Sequence, residues 1–194
     1  MTACFEALAI RASPPTHVGA ERRIHVVQGE FHVTGDPDVV LTTILGSCVA
    51  ACLHDPLAKV GGMNHFLLPG SSEDAGADTV RHGVHAMELL VDGLLRLGAR
   101  RERLEAKLFG GATMLEGLTD IGTRNAEFAR YFLQREQIAF TGGSLQGDRA
   151  RRIQFWPASG RARQMTIEQG EAKVFAAERR AKAAPLDVGS VELF

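Results

Sequence analysis

No stretch of this 194-residue sequence approaches the roughly 20 consecutive apolar residues that cross a bilayer, so no membrane insertion is expected. Neither sign of charge is in excess. Lys and Arg number 22, Asp and Glu 23, and the formal net charge is −1, which removes any general electrostatic reason to expect nucleic acid or an anionic membrane as partner. Cysteine is scarce: Cys4, Cys48 and Cys52 form no even framework of disulfides. The N-terminal "MTACFEALAIRASPPTHVGAERR" lacks a basic start and has only a short apolar stretch, so no secretory signal is expected and a reducing, cytoplasmic setting is. Internal repeats, low-complexity tracts, the G-x-x-x-x-G-K-[ST] phosphate loop and the G-x-S-x-G elbow of serine hydrolases are all missing. What is present is ordinary globular composition, 45% hydrophobic and 23% charged, in a chain long enough for one domain with a sizeable core.

The pattern along the chain predicts three parts: a flexible N-terminal extension at 1–22, a domain at 23–167 and a partly helical tail at 168–194. "RIHVVQGEFHVT" reads as a strand with a turn or bulge at Gly29. A long β-forming run from Val39 to Leu53 follows, then the turn "HDPLAK" and a second extended run, "VGGMNHFLLP". The clearest helix is "TVRHGVHAMELLVDGLLRLGAR", where Val80, Val84, Met87, Leu90, Val91, Leu94 and Leu97 recur at three- and four-residue steps and Gly98 is a stop. "LEAKLF" reads as a buried edge strand, "TRNAEFARYFLQRE" as a second helix, "IAFTGG" as a strand, and "RRIQFW" with "ARQMTI" as a hairpin around "PASG". The tail reads as helical through "EAKVFAAERRAKAA", and the terminal "VGSVELF" is apolar enough to dock as a strand. About eight strands and two long helices in mixed order favour an α+β layered domain over a doubly wound sheet.

Within the long run, "TILGSCVAACLHDP" carries a cysteine directly after Gly-Ser. A buried free cysteine most often just fills space. Two features point instead to chemistry. Gly46 permits a bulge or the close approach of another backbone. The polar pair Asn64-His65 interrupts the next extended run, and pairing of the two runs as a hairpin brings His65 near Cys48. A thiol with an ordinary pKa of about 8.5 needs a base or cation beside it to act as a thiolate, and an imidazole supplies one. Such a pair also needs a group that orients the ring through its other nitrogen. Thr42 lies six residues before Cys48 and shares its face on a regular strand, whereas a bulge at Gly46 reverses the parity in favour of Thr43.

Other readings of these residues are weaker. Cys48, Cys52, His54 and His65 have no zinc-knuckle spacing, and four residues along a strand separate the two sulfurs too far to share an ion, so no metal is expected. "KLFGGATM" reads as a strand-to-helix turn whose backbone N–H groups can face the site. Arg149, Arg151, Arg152, Arg161 and Arg163 read as a solvated hairpin face or as a surface for an acidic partner.

Taken in order, "LGSCVAACLHDP", "GGMNHFLLP", "MELLVDGLLRLGA", "RLEAKLFGGATM", "IGTRN" and "GDRARR" resemble the bacterial chemoreceptor glutamine deamidases of the CheD family, over roughly Ile24 to Thr166. The resemblance implies a three-layer α/β/β fold shared with glutamine-deamidating toxins. It implies Cys48 as nucleophile, His65 as general base and acid, and Thr42 as the group that orients His65. The implied reaction converts receptor glutamine to glutamate and releases ammonia through a thioester, with no cofactor. The implied partners are the cytoplasmic helices of methyl-accepting chemoreceptors and the chemotaxis phosphatase CheC. The competing expectation is a binding module on the same fold that docks to receptors or to such a phosphatase with little turnover. "GDRARR" and the glycines before it follow the family's glycine-rich pattern only approximately.

Overall fold

The computed structural model describes residues 20–68, 76–113 and 121–167. The expected tail helix and terminal strand lie outside these residues, as does the expected extension except for residues 20–22. Among the described residues the chain forms nine strands, two α-helices and one short 3-10 turn. The strands make two sheets.

The four-stranded sheet has the order β1 (Arg22–His25), β3 (Val39–Leu45), β8 (Arg151–Trp156), β9 (Arg161–Thr166). In it β1 runs parallel to β3, and the other pairs are antiparallel. The five-stranded sheet has the order β2 (Phe31–Thr34), β5 (Val60–Asn64), β4 (Val49–Asp55), β6 (Glu105–Gly110), β7 (Ala139–Leu145). Here only β6 and β7 are parallel. The segment "LEAKLF" is therefore an interior strand, flanked by β4 and β7, and not the edge strand its sequence suggested. Within it Ala106, Leu108, Phe109 and Gly110 are buried, while Glu105 is exposed and Lys107 half-buried.

Strand β4 shows why the layers form. All seven of its residues are buried. Val49, Ala51 and Leu53 face α1 (Gly76–Arg96) and α2 (Ile121–Arg135), meeting Met87, Leu90, Val91 and Leu94 from α1 and Phe128, Ala129, Phe132 and Leu133 from α2. Cys48, just before the strand, and Ala50 and Cys52 within it face the other way, onto Leu41, Leu45, Ile153 and Phe155 of the four-stranded sheet. A strand covered on both sides reads as an unbroken apolar run. The result is helices, sheet and sheet in three layers, the α+β architecture expected. In α1 the periodic core residues are the central ones; Val80 and Leu97, at the two ends of the pattern, are exposed.

The predicted single run from Val39 to Leu53 is two strands in different sheets. The chain leaves the four-stranded sheet after Leu45, crosses the interlayer space through Gly46, Ser47 and Cys48, and enters the five-stranded sheet at Val49. The hairpin of β4 with β5 and that of β8 with β9 form as the turn signals indicated.

One ion pair anchors the outer end of this arrangement. Asp55, fully buried at the end of β4, accepts hydrogen bonds from Arg103 and from the N–H groups of Leu57, Ala58 and Arg100. Burial alone pushes its carboxyl up. The Arg103 guanidinium and the three amides outweigh that and hold it well below the usual carboxylate range.

Candidate active site

The crossing that carries Cys48 is held by its carbonyls. Gly46 O accepts from Ala112 N at 2.9 Å, and Cys48 O from Gly111 N at 2.8 Å. Ser47 O accepts from Asn125 Nδ2, also at 2.8 Å. Gly110 (φ 108°) is required here, since a Cβ on it would lie 2.1 Å from Cys48 O. The "KLFGG" turn thus does face Cys48, but its Gly111 and Ala112 amides are committed to the crossing's own carbonyls. In a trans peptide the N–H points opposite to the preceding C=O. Pinning Gly46 O and Ser47 O toward the β6–α2 side therefore turns the N–H groups of Ser47 and Cys48 away from it.

His65 follows β5 directly. A bridge pairs Val49 with Phe66, in register with the Cys52–Met63 pair of the β4–β5 ladder. That register sets His65 opposite Ala50 and makes Cys48 its diagonal neighbour on the same face, a separation long side chains span. Both residues are buried. Asn64 points the other way, toward the helices. Its Oδ1 accepts from Ala51 N at 3.0 Å, and its Nδ2 donates to Ala86 O at 3.0 Å.

The group that holds the ring is Thr43. Its Oγ1 lies 2.9 Å from His65 Nδ1 and donates to Val26 O at 2.8 Å. Thr42, the position the family resemblance implied, has its side chain turned the other way, and its hydroxyl donates to Ile153 O at 3.0 Å. The correction has a physical reason. The strand stops at Leu45, and the three-residue crossing breaks the two-residue alternation, so the same-face rule counted from Cys48 selects the wrong threonine.

The same network sets the tautomer of the histidine. Val26 O can only accept, and a threonine hydroxyl has one proton. With that proton on Val26 O, Thr43 Oγ1 accepts from His65 Nδ1–H, and the lone pair of the ring sits on Nε2. The turn after β1 fastens the backbone of His65 as well: Gly29 N donates to His65 O at 2.7 Å, and His65 N to Glu30 O at 3.0 Å. From that turn the exposed Gln28 reaches in, its Oε1 3.5 Å from Cys48 Sγ.

Three contributors escaped the sequence reading. Asn125, fully buried on α2, donates to Ser47 O and accepts from Leu68 N at 2.9 Å, tying the crossing to the segment after His65. Its signal was its phase: it lies on the same helix face as Phe128, Ala129 and Phe132. Arg151 is buried and not part of a solvated face. It donates to Ser144 O and Oγ and to the carbonyls of Gln146 and Arg149, shaping the loop that in turn bonds Gly110 and Thr113. In-phase spacing with Ile153 and Phe155 was the available clue. Gln28, in a turn, gave no signal.

Cys52 plays a different part from Cys48. Burial pushes its thiol far above the ordinary value, against the opposing charge of Lys107, so it stays a neutral packing group. His54 is taken up by Pro157 O, 2.8 Å from its Nδ1. Among the described residues, no group of three or more His, Cys, Asp or Glu side chains is placed to hold a metal ion. No helix among them is long and apolar enough to cross a membrane.

A cysteine and a histidine on one buried sheet face, with a hydroxyl on the far ring nitrogen, is the kind of constellation used by enzymes with a cysteine nucleophile. Comparison with known proteins places it further. Residues 67–166 match the family model described as CheD chemotactic sensory transduction. A protein of Acidiphilium cryptum (strain JF-5) named "Probable chemoreceptor glutamine deamidase CheD" is 58% identical over 178 residues, covering 89% of this chain and 94% of its own. Proteins of the same name from Rhizobium meliloti (strain 1021) and Agrobacterium fabrum (strain C58 / ATCC 33970) are 60% and 54% identical, over 79% and 90% of this chain and 85% and 98% of theirs. The chain belongs to the CheD family. Among solved structures, the Bacillus licheniformis hypothetical protein YfiH is similar with a TM-score of 0.40 at 15% identity, over 64% of this chain and 59% of that one, too slight a likeness to carry an argument.

Proposed function

We propose that this protein is a cytoplasmic protein-glutamine deamidase that converts glutamines on chemoreceptor helices to glutamate and releases ammonia. One observation carries the reading: Thr43 holds His65 by Nδ1, on the sheet face that also carries Cys48, in a chain whose relatives bear the deamidase name. A phosphatase partner of the CheC kind rests on the family resemblance alone.

In this reading His65 Nε2 takes the Cys48 proton, and the thiolate attacks the carboxamide carbon of the substrate. The Ser47 and Cys48 amides, turned away from the β6–α2 side, are the donors for the oxyanion that forms. His65 returns the proton to the departing nitrogen, the C–N bond breaks, and ammonia leaves a thioester on Cys48. Water, deprotonated by the same nitrogen, cleaves the thioester to glutamate and regenerates the thiol. Thr43 and Val26 keep the ring in the required tautomer throughout. A hydroxyl has no charge to offer an imidazolium, so Thr43 orients the ring more than it stabilises the charged form.

The test is peptide mass spectrometry of purified chemoreceptor cytoplasmic fragments incubated with the wild-type protein and with Cys48→Ala. A gain of about one dalton at particular glutamines, absent with the variant, is the expected result. Binding to the fragments with no mass change would replace the deamidase reading with a docking role.

A further inference from the structure

Cys48 is only 4% exposed, although a substrate as large as a receptor helix has to present a side chain to its thiol. What reaches it from the surface is Gln28. Its backbone belongs to the turn closed by Glu30 N to Val27 O at 3.0 Å, and that turn is bonded to His65 on both sides of the peptide chain. Its side chain is exposed, yet its Oε1 lies 3.5 Å from Cys48 Sγ. The group resting on the nucleophile is thus itself a glutamine carboxamide, chemically the same as the group the proposed reaction consumes.

We propose that Gln28 occupies the subsite for the substrate's carboxamide, between the Val27–Glu30 turn and the Gly46–Cys48 crossing, and has to swing out before a receptor glutamine enters. The inference deepens the deamidase reading and rests on it for the identity of the ligand. Two features make the exchange feasible. The backbone anchors of the turn lie at Gly29, Glu30 and Val27, so the Gln28 side chain can rotate outward without breaking them. The thiol-to-carboxamide contact is also long and weak by hydrogen-bond standards, so a substrate carboxamide that adds contacts elsewhere on its helix competes with Gln28 for the thiol. The subsite is thereby kept filled by a group that unrelated side chains displace poorly and that a substrate carboxamide with further contacts can replace. If the open state is about one-tenth populated, removal of the plug raises apparent access about tenfold.

Gln28→Ala and Gln28→Asn test this, the second because it keeps the amide but is one methylene too short to reach Sγ. Two measurements are made on the full chain. One is the rate at which iodoacetamide alkylates Cys48, located by peptide mapping; the other is kcat and KM on chemoreceptor fragments. The expected result is faster Cys48 alkylation in both variants, by up to about tenfold, with a lower KM and an unchanged kcat. Alkylation at the wild-type rate in both variants overturns the proposal, whatever the deamidase activity. A large fall in kcat at constant KM also overturns it, because Gln28 would then be stabilising the transition state and not blocking entry. Faster alkylation with no deamidation by any version of the protein supports Gln28 as the cover of the thiol and sinks the deamidase reading instead.

Discussion

Thr43 Oγ1 stands 2.9 Å from His65 Nδ1 and 2.8 Å from the carbonyl oxygen of Val26, so one hydroxyl links the two sheets at the imidazole. Removing it leaves His65 Nδ1 the longer contact with Val26 O at 3.4 Å.

Thr43→Ala is therefore expected to lower turnover by about ten- to a hundredfold, the range that misplacement of a catalytic group costs. Thr43→Ser, which restores the hydroxyl, is expected to recover most of the activity. Thr42→Val removes only the bond to Ile153 O and is expected to stay within about twofold of wild type, with a stability loss of about 1 kcal/mol. Ammonia release by the three variants checks the ordering. Equal losses in Thr43→Ala and Thr42→Val would mean that neither threonine is special to the ring.

Asn125 bridges Ser47 O and Leu68 N inside the protein. In Asn125→Ala the buried Leu68 N–H and the half-buried Ser47 O both lose this partner, and a loss of about 1–3 kcal/mol is expected in urea unfolding. Asn125→Asp keeps the acceptor for Leu68 N–H but sets an oxygen against Ser47 O, so it is expected to rescue little. Full rescue by aspartate would show that the bond to Ser47 O is dispensable.

The Asp55–Arg103 anchor makes a pH-dependent contribution to stability. The folded carboxyl titrates below the ordinary unfolded value of about 3.9, so the contribution is fully present above that value. It is lost as pH falls through the folded pKa. Asp55→Asn is expected to be clearly less stable than wild type at pH 7, with the gap closing as pH drops below about 4. Urea midpoints measured at pH 7 and pH 3 decide this; a gap of constant size would mean the carboxylate's charge is not what stabilises the fold.

Two residues of the candidate site, Cys48 and His65, were legible in the sequence because they interrupt otherwise regular patterns. Cys48 follows Gly-Ser inside a β-forming run, and His65 breaks the apolar run that pairs with it. The threonine was not legible in the same way. Parity decides between Thr42 and Thr43, and parity depends on whether the strand continues through Gly46, which composition does not report. Arg151 was misread for a related reason: in a hairpin rich in arginines the one that packs inward is marked only by its phase with Ile153 and Phe155. The layers followed from strand and helix periodicity, but the assignment of "LEAKLF" to an interior position needed β7, whose exposed, glycine-containing residues say little about which neighbour they pair with.

The crossing of Gly46, Ser47 and Cys48 has one more implication. It places the thiol and the imidazole on one sheet and the hydroxyl that steers the imidazole on the other. Reactivity is therefore a gauge of the gap between the sheets. On the proposed mechanism, letting the layers drift apart, as by trimming Met63 or Phe155 in the packing between them, is expected to lower turnover while the molecule is still folded.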